Sequence, residues 1–322
     1  MTSISWLYLN LEKKLRNRFA EVFYELGKSN PNLCLIVADI SPAGSIEKFR
    51  KDFPDRFINT GVAEQIMIGI AAGLSQRGLK PFAYTIATFA LYRPFEFIRD
   101  DLCYQNLPVT VVGIGGGITY STLGATHHAL EDISIASSIP NMRVIAPCDP
   151  LEVESATRWC AKQELGPVYL RLGKAGEPNL TEEAIDSWEF GKIRKILDGD
   201  KIAILTYGSI ASTAINVSNQ LQQNSVSCSV YFASTLKPFD FQGLSEIFAK
   251  HKNIAVIEEH VARGGLASII KQFAFDVTWR GQIHSFHLKD EFLHKYDSHT
   301  ELLKLHHLDS KSIFEKLINI FE

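Results

Sequence analysis

Glu64 is a single carboxylate at the head of a Gly/Ala-rich apolar stretch, Asn59-Thr-Gly-Val-Ala-Glu-Gln-Ile-Met-Ile-Gly-Ile-Ala-Ala-Gly73. An acid in the first turn of a helix can simply complement the helix dipole. At the mouth of a helix this apolar it should also be partly desolvated. That raises its proton affinity and makes it a candidate acid or hydrogen-bond partner. A second polar group is Gly124-Ala-Thr-His-His-Ala-Leu-Glu-Asp132, with two histidines and two acids. His127 with Glu131, and His128 with Asp132, have the i, i+4 spacing of a helix face. Adjacent histidines point to different faces, so one histidine reaching into a cleft is a sharper expectation than a metal site. Phe89 and Tyr92 lie three apart just past a strand end; core packing is their ordinary use, and stacking on a flat cofactor ring is the alternative. Arg16 and Arg171 are isolated cations for which surface placement is the ordinary reading. Arg171 ends the strand Tyr169-Leu-Arg-Leu172, where a phosphate clamp would be well placed. His260, in Glu258-Glu-His-Val-Ala-Arg-Gly-Gly265, enters a Gly-rich helix start that either binds an anion or makes a tight turn.

The elements that must position these groups alternate strand and helix. Apolar strand-like runs fall at Leu33–Ala38, Pro81–Ala87, Pro108–Ile114, Met142–Ala146 and Val168–Leu172. Helical spacing predicts helices over Leu11–Gly27, Phe89–Gln105, His127–Ser138 and Pro150–Gln163, as well as in the stretch led by Glu64. Ile66, Ile70 and Leu74 mark one face of that helix, while Gly69 and Gly73 leave another nearly bare, so that a second backbone could approach. Between Gly173 and Glu189 the periodicity breaks at Gly173, Gly176, Pro178 and Asn179, which reads as a linker. Alternation then resumes, with strands at Lys201–Tyr207, Ser227–Phe232, Asn253–Glu258 and Gln282–Phe286. The expected organisation is an extension over residues 1–10, a domain over 11–172, a linker over 173–189 and a smaller domain over 190–322. Both domains are expected to be α/β, doubly wound, with mainly parallel sheets.

Composition narrows the function. The chain has 322 residues, 46% apolar and 21% charged, with a formal net charge of −3. Nothing there points to nucleic acid or to an acidic membrane surface. No apolar run reaches membrane-spanning length. The five cysteines are scattered, with no Cys-x-x-Cys pair, so a disulfide scaffold or zinc site is not indicated and a cytoplasmic setting is the expectation. Gly113-Ile-Gly-Gly-Gly117 follows a strand but does not open an amphipathic helix, as a dinucleotide fingerprint requires. It reads instead as a flexible loop near a ligand. No nucleophile elbow, Walker loop or zinc-hydrolase motif is present.

Four segments together carry a family likeness. They are Gly61-Val-Ala-Glu-Gln65 with its Gly/Ala helix, Gly124-Ala-Thr-His-His128 with Glu131-Asp132, Ile139-Pro-Asn-Met-Arg-Val-Ile-Ala-Pro147, and Val256-Ile-Glu-Glu-His260 before Gly264-Gly265. The chain resembles the transketolase and deoxyxylulose-phosphate synthase family over nearly its whole length, but only that family's pyrimidine-binding and carboxy-terminal domains. The resemblance implies the carboxy-terminal subunit of a split transketolase. It implies that Glu64 hydrogen-bonds the aminopyrimidine of thiamine diphosphate, favouring the tautomer that takes a proton from the thiazolium carbon. By family position Phe89 stacks on the pyrimidine, Tyr92 lies close by, and Ile86 stands where another aromatic is common. His127 matches a substrate-contacting histidine. Arg16 and Arg171 fall near positions that hold a sugar phosphate.

Departures from the family qualify this likeness. Gly115 and Leu123 replace a histidine and an aspartate that contact ketose hydroxyls in many transketolases. The expectation is an unusual sugar, for which the Gly115–Gly117 loop would leave room. The family's Gly-Asp-Gly segment for Mg²⁺ and diphosphate is not matched, since Asp198-Gly-Asp200 lacks the first glycine and sits in a turn. The resemblance therefore implies a partner chain carrying the metal and diphosphate motif, in a hetero-oligomer of two plus two. Rival expectations are a 2-oxo-acid dehydrogenase β-type subunit, and a non-catalytic scaffold or regulatory paralogue.

Overall fold

A computed structural model describes residues 15–39, 45–174, 177–181 and 188–321. The expected extension over residues 1–10, residues 40–44 and part of the expected 173–189 linker lie outside the described residues. Twelve strands are described: β1 (Leu33–Val37), β2 (Phe57–Asn59), β3 (Lys80–Ile86), β4 (Thr110–Ile114), β5 (Arg143–Ile145), β6 (Val168–Leu172), β7 (Arg194–Leu197), β8 (Ile202–Thr206), β9 (Cys228–Phe232), β10 (Thr235–Lys237), β11 (Asn253–Val261) and β12 (Gln282–Leu288). They form a seven-stranded sheet in the order β10-β5-β6-β4-β3-β1-β2 and a five-stranded sheet in the order β12-β11-β8-β9-β7. Each sheet is parallel except for one antiparallel edge, β10 on β5 and β7 on β9. The chain is thus α/β with two mainly parallel sheets, as its alternation predicts.

The reason lies in burial. β1, β4, β6, β8 and β9 are buried at every position, as unbroken apolar runs covered on both faces must be. Leu15, Phe19, Val22 and Phe23 share one face of the helix Leu15–Ser29 and are fully buried. Phe19 and Phe23 then pack on Phe82 and Tyr84 of β3. The opposite face of the first sheet shares a continuous apolar cluster with the second, running from Ile36 and Val111 to Leu205 and Val256. Among the described residues no helix is long and apolar enough to cross a membrane.

Strand order reverses at β1. The chain passes from β1 outward to β2, then returns to β3 on β1's other side. In open parallel sheets a crevice opens at such a reversal, beyond the carboxyl ends of the strands. Glu64 follows β2 and Phe89 follows β3, so both arrive at that crevice.

Several elements differ from expectation. β2, β7 and β10, and the helices Ser45–Asp52 and His299–Leu305, are additional. The helix expected from His127 begins only at Asp132 and runs to Ser138, while Ala125–His127 forms a single 3₁₀ turn. Reciprocal backbone bonds explain this: Ala129 donates to the Gly117 carbonyl at 2.8 Å, and Gly117 to that of Ala129 at 3.0 Å. These bonds tie Ala129 to the glycine loop, so the helical pairs His127–Glu131 and His128–Asp132 do not form. The helix expected over Phe89–Gln105 is also broken. Ala87–Leu91 ends in a turn at Pro94, and Phe95–Phe97 leads into a π-helical turn over Ile98–Tyr104. Proline lacks the N–H a continuing helix needs and disfavours helical backbone before it.

Candidate active site

Gly61, at φ +67°, turns the chain from β2 into the helix Glu64–Gln76. A left-handed residue is costly with a Cβ, so glycine suits this turn. Ala63 occupies the N-cap and gives no side-chain cap. Glu64 is 2% exposed. A carboxylate held this far from water needs a donor or a counter-charge. Arg93 supplies both, donating from Nη1 to Glu64 Oε1 at 2.8 Å.

Arg93 also lies over the ring of Phe89, its guanidinium carbon 4.0 Å from the ring centroid. Phe89 meets His127 edge-on, with centroids 5.2 Å apart. His127 in turn lies 6.1 Å from Tyr120, whose ring carries Lys174 Nζ at 4.6 Å. Arg16 completes the string, near enough to Tyr120 for its charge to act on the hydroxyl. One run of contacts therefore joins Glu64, Arg93, Phe89, His127, Tyr120, Lys174 and Arg16. Burial, then the charges of Arg93 and Lys174, lower the His127 pKa, so the imidazole is neutral at neutral pH. Thr126 Oγ1 lies 2.9 Å from its Nδ1.

Of the residues expected from the sequence, Glu64, Phe89, His127 and Arg16 belong to this run. Ile86 stands half-buried at the end of β3, at the N-cap of Ala87–Leu91. Tyr92 turns from the run into the core, where burial beside Asp132 and Glu131 drives its hydroxyl pKa up. Arg93, Tyr120 and Lys174 are members that sequence reasoning misses. The sequence signal for Arg93 is its place next to Phe89 and Tyr92; for Lys174 it is the position just past β6.

Arg171 does not join the run. It is 3% exposed and donates from Nε to Asp132 Oδ2 at 2.8 Å and from Nη2 to the Glu259 carbonyl at 3.0 Å. The guanidinium expected as a phosphate clamp is thus engaged within the fold, on a carboxylate and a backbone carbonyl. His260 is also fully buried, with Nδ1 on the Val261 carbonyl at 2.7 Å and Nε2 3.3 Å from the Ser134 amide. The helix start it precedes bonds a carboxylate of this chain, with Glu258 accepting from the Leu266 and Ala267 amides at 2.7 and 3.0 Å.

The glycine loop beyond β4 serves packing. A Cβ on Gly115 would run into the Tyr120 ring, one on Gly116 into Arg171, and one on Gly117 into the Glu259 carboxylate. The space expected for a bulkier sugar is therefore filled by Tyr120. Among the described residues no group of three or more His, Cys, Asp or Glu is placed to hold a metal ion.

Fold and crevice define an α/β protein of two sheets with a buried acid and an aromatic ring at the strand-order reversal. Comparison with known proteins gives this class its family. The family model described as the transketolase pyrimidine-binding domain matches residues 12–177, and that of the transketolase C-terminal domain matches residues 191–313. The chain belongs to the transketolase family. A Methanocaldococcus jannaschii protein named as a transketolase C-terminal section is 34% identical over 99% of this chain and 98% of its own length. A Phocaeicola vulgatus protein named as one of the subunits of apulose-4-phosphate transketolase is 31% identical over 79% of this chain and 81% of its own. A solved structure titled as a split gene transketolase, inactive β4 tetramer, superposes with a TM-score of 0.85 at 30% identity, covering 95% of this chain and 97% of that one.

Proposed function

We propose that this chain is the pyrimidine-binding subunit of a thiamine-diphosphate-dependent transferase that moves a two-carbon ketol unit between sugar phosphates in the cytoplasm. The observation that carries this reading is the Glu64–Arg93–Phe89 stack. A buried carboxylate and an aromatic face are bridged by a flat N–H donor, and an aminopyrimidine carrying a proton on its ring nitrogen is also a flat N–H donor. The residues at the pyrimidine end thus fit the cofactor: Glu64 to bond a ring nitrogen and share its proton, Phe89 to stack, Ile86 to flank. Tyr92 acts behind them through the core. Bound there, thiamine diphosphate supplies a carbon nucleophile and an electron sink. His127, neutral and edge-on to Phe89, is placed to bond substrate hydroxyls. Arg16 and Lys174 lie at the far end of the run, where an anionic group such as a sugar phosphate would be drawn. Arg171 supports this end only through Gly116 and Asp132.

The described residues do not fit the metal end. Mg²⁺ takes carboxylates together with phosphate oxygens, and we assign that role to a separate chain in a two-plus-two assembly. The helix led by Glu64 supports such a partner. Val62 just before it and Ile66 within it are 71% and 55% exposed. A Cβ on Gly69 or Gly73 would meet nothing within 4 Å. An apolar, nearly bare face beside a functional acid suits close contact with another protein. A relative titled as an inactive assembly of β chains agrees with a need for that companion.

The test is Glu64→Gln in the chain co-expressed with its companion. Ketol transfer from a ketose phosphate should fall by about 100-fold or more, the scale of losing an acid–base group. Undiminished transfer would remove Glu64 from the chemistry. Oxidative decarboxylation of a 2-oxo acid by the wild type would turn the assignment to a dehydrogenase subunit. Calorimetry showing no uptake of thiamine diphosphate and Mg²⁺ by the assembled pair would leave a non-catalytic role.

A further inference from the structure

Arg93 is 42% exposed along its side chain, yet its guanidinium reaches in to a carboxylate that is only 3% exposed. It springs from the turn between Ala87–Leu91 and Pro94. Its backbone is therefore restrained by the following proline, while its long side chain can rotate. Glu64 and the face of Phe89 are bridged by this one planar group. A ring that bonds Glu64 while stacking on Phe89 needs the same space. Both contacts cannot be made twice.

We propose that Arg93 is a placeholder for the aminopyrimidine: it compensates Glu64 until the ring arrives, and must withdraw for the ring to bind. The proposal rests on the reading of Glu64 and Phe89 given above and adds a competitor to it. Two physical requirements meet in this side chain. A subunit made apart from its companion must fold with a buried acid at a helix mouth, and an unpaired buried charge is strongly destabilising. The compensating group must also be removable. A half-exposed arginine meets that condition, because its cation–π contact is modest where water reaches the cation and its long side chain can rotate away. The consequence is a reduced apparent affinity, since only the fraction of molecules with Arg93 withdrawn can accept the ring. A companion surface offering a carboxylate or carbonyls to the displaced guanidinium would raise that fraction and couple assembly to cofactor uptake.

The experiment compares wild type with Arg93→Ala in the assembled pair, titrating thiamine diphosphate at saturating Mg²⁺ by calorimetry. Thermal melting of the isolated chain is followed alongside. The expected result is about tenfold tighter binding in the variant, as for removal of a state that blocks nine molecules in ten. The isolated variant should melt at lower temperature, since Glu64 has lost its donor. If Arg93→Ala does not fold, Arg93→Gln retains a donor without the charge and should give a smaller gain in the same direction. Equal or weaker binding in the variant that folds overturns the placeholder role, and weaker binding makes Arg93 a cofactor contact instead. A wild-type pair that takes up no cofactor removes the parent reading and this proposal together, an outcome distinct from either of those.

Discussion

Taking Arg171 and Asp132 out of water costs several kcal/mol per ion, which only close pairing and further hydrogen bonds return. Asp132 Oδ2 accepts from Arg171 Nε and from the Tyr169 hydroxyl, both at 2.8 Å, while the rest of the guanidinium turns to backbone carbonyls. Asp132→Asn should therefore destabilise the fold by about 3–5 kcal/mol, the loss expected when one partner of a buried pair is removed. A urea melt monitored by circular dichroism would measure it; a midpoint unmoved from wild type would contradict the structural role. Residue identities are unevenly legible in the sequence for the same physical reason. Glu64 stands out because an acid at the edge of an apolar run is locally anomalous. Arg171 does not, because a strand end says nothing about which distant segment covers it. Its partner Asp132 is 39 residues away, and Glu259 is 88 away. Arg93 is adjacent to Phe89 and Tyr92, but only the folded turn shows its guanidinium reaching back 29 positions to Glu64.

Among the elements, the loop beyond β4 reads in sequence as open space and is instead a tightly covered seam. Gly117 has φ +66°, and a Cβ there would overlap the Glu259 carboxylate. Gly61 has nearly the same backbone, φ +67°, with nothing within 4 Å of a Cβ. The pair separates strain from collision. Gly61→Ala should cost about 1–2 kcal/mol, the penalty of a left-handed residue with a side chain. Gly117→Ala should cost that and a further amount of about 1–3 kcal/mol for overpacking. Equal melting temperatures for the two variants would show that the seam has room. Buried strands are legible as unbroken apolar runs, and long amphipathic helices as periodic ones. Short edges are not. β2 and β10 are three residues each, too brief for a period to register. The helix expected from His127 fails because backbone pairing across the glycine loop outweighs the local spacing.

At the scale of the molecule, the two sheets are held together by side chains that cross between them and by a shared core. β10 follows β9 of the second sheet in the chain yet adds an edge to the first sheet, and Lys237 within it donates to the Ser137 and Ile139 carbonyls at 2.7 and 2.6 Å. Glu259, at the end of β11, accepts from the Ile118 amide at 2.7 Å and pairs with His299 Nε2 at 2.9 Å. His299 also feels the charge of Glu177. This junction should give stability a recognisable pH dependence. Burial opposes the His299 charge, but Glu259 outweighs it and raises the imidazole pKa above its ordinary 6.5. For Glu259 burial alone would raise the pKa, but His299, the Ile118 amide and Arg171 together bring it below 4.5. The histidine's contribution is then complete below 6.5 and fades as pH climbs through the raised value. The carboxylate's contribution is complete above 4.5 and fades as pH falls through the lowered value. Between those limits the pair is worth most. His299 is 33% exposed, so the 3–5 kcal/mol of a fully buried pair must be discounted, to about 1–2 kcal/mol. Glu258, raised to about 7 by burial, superimposes a fall in stability between pH 4.5 and 7. The wild-type curve alone therefore mixes the two, and the difference from His299→Gln isolates the junction. That difference should be largest near pH 5.5 and shrink above neutrality as wild-type His299 loses its proton. A difference that stays constant from pH 5.5 to 9 would mean that the contact is held by shape rather than by charge.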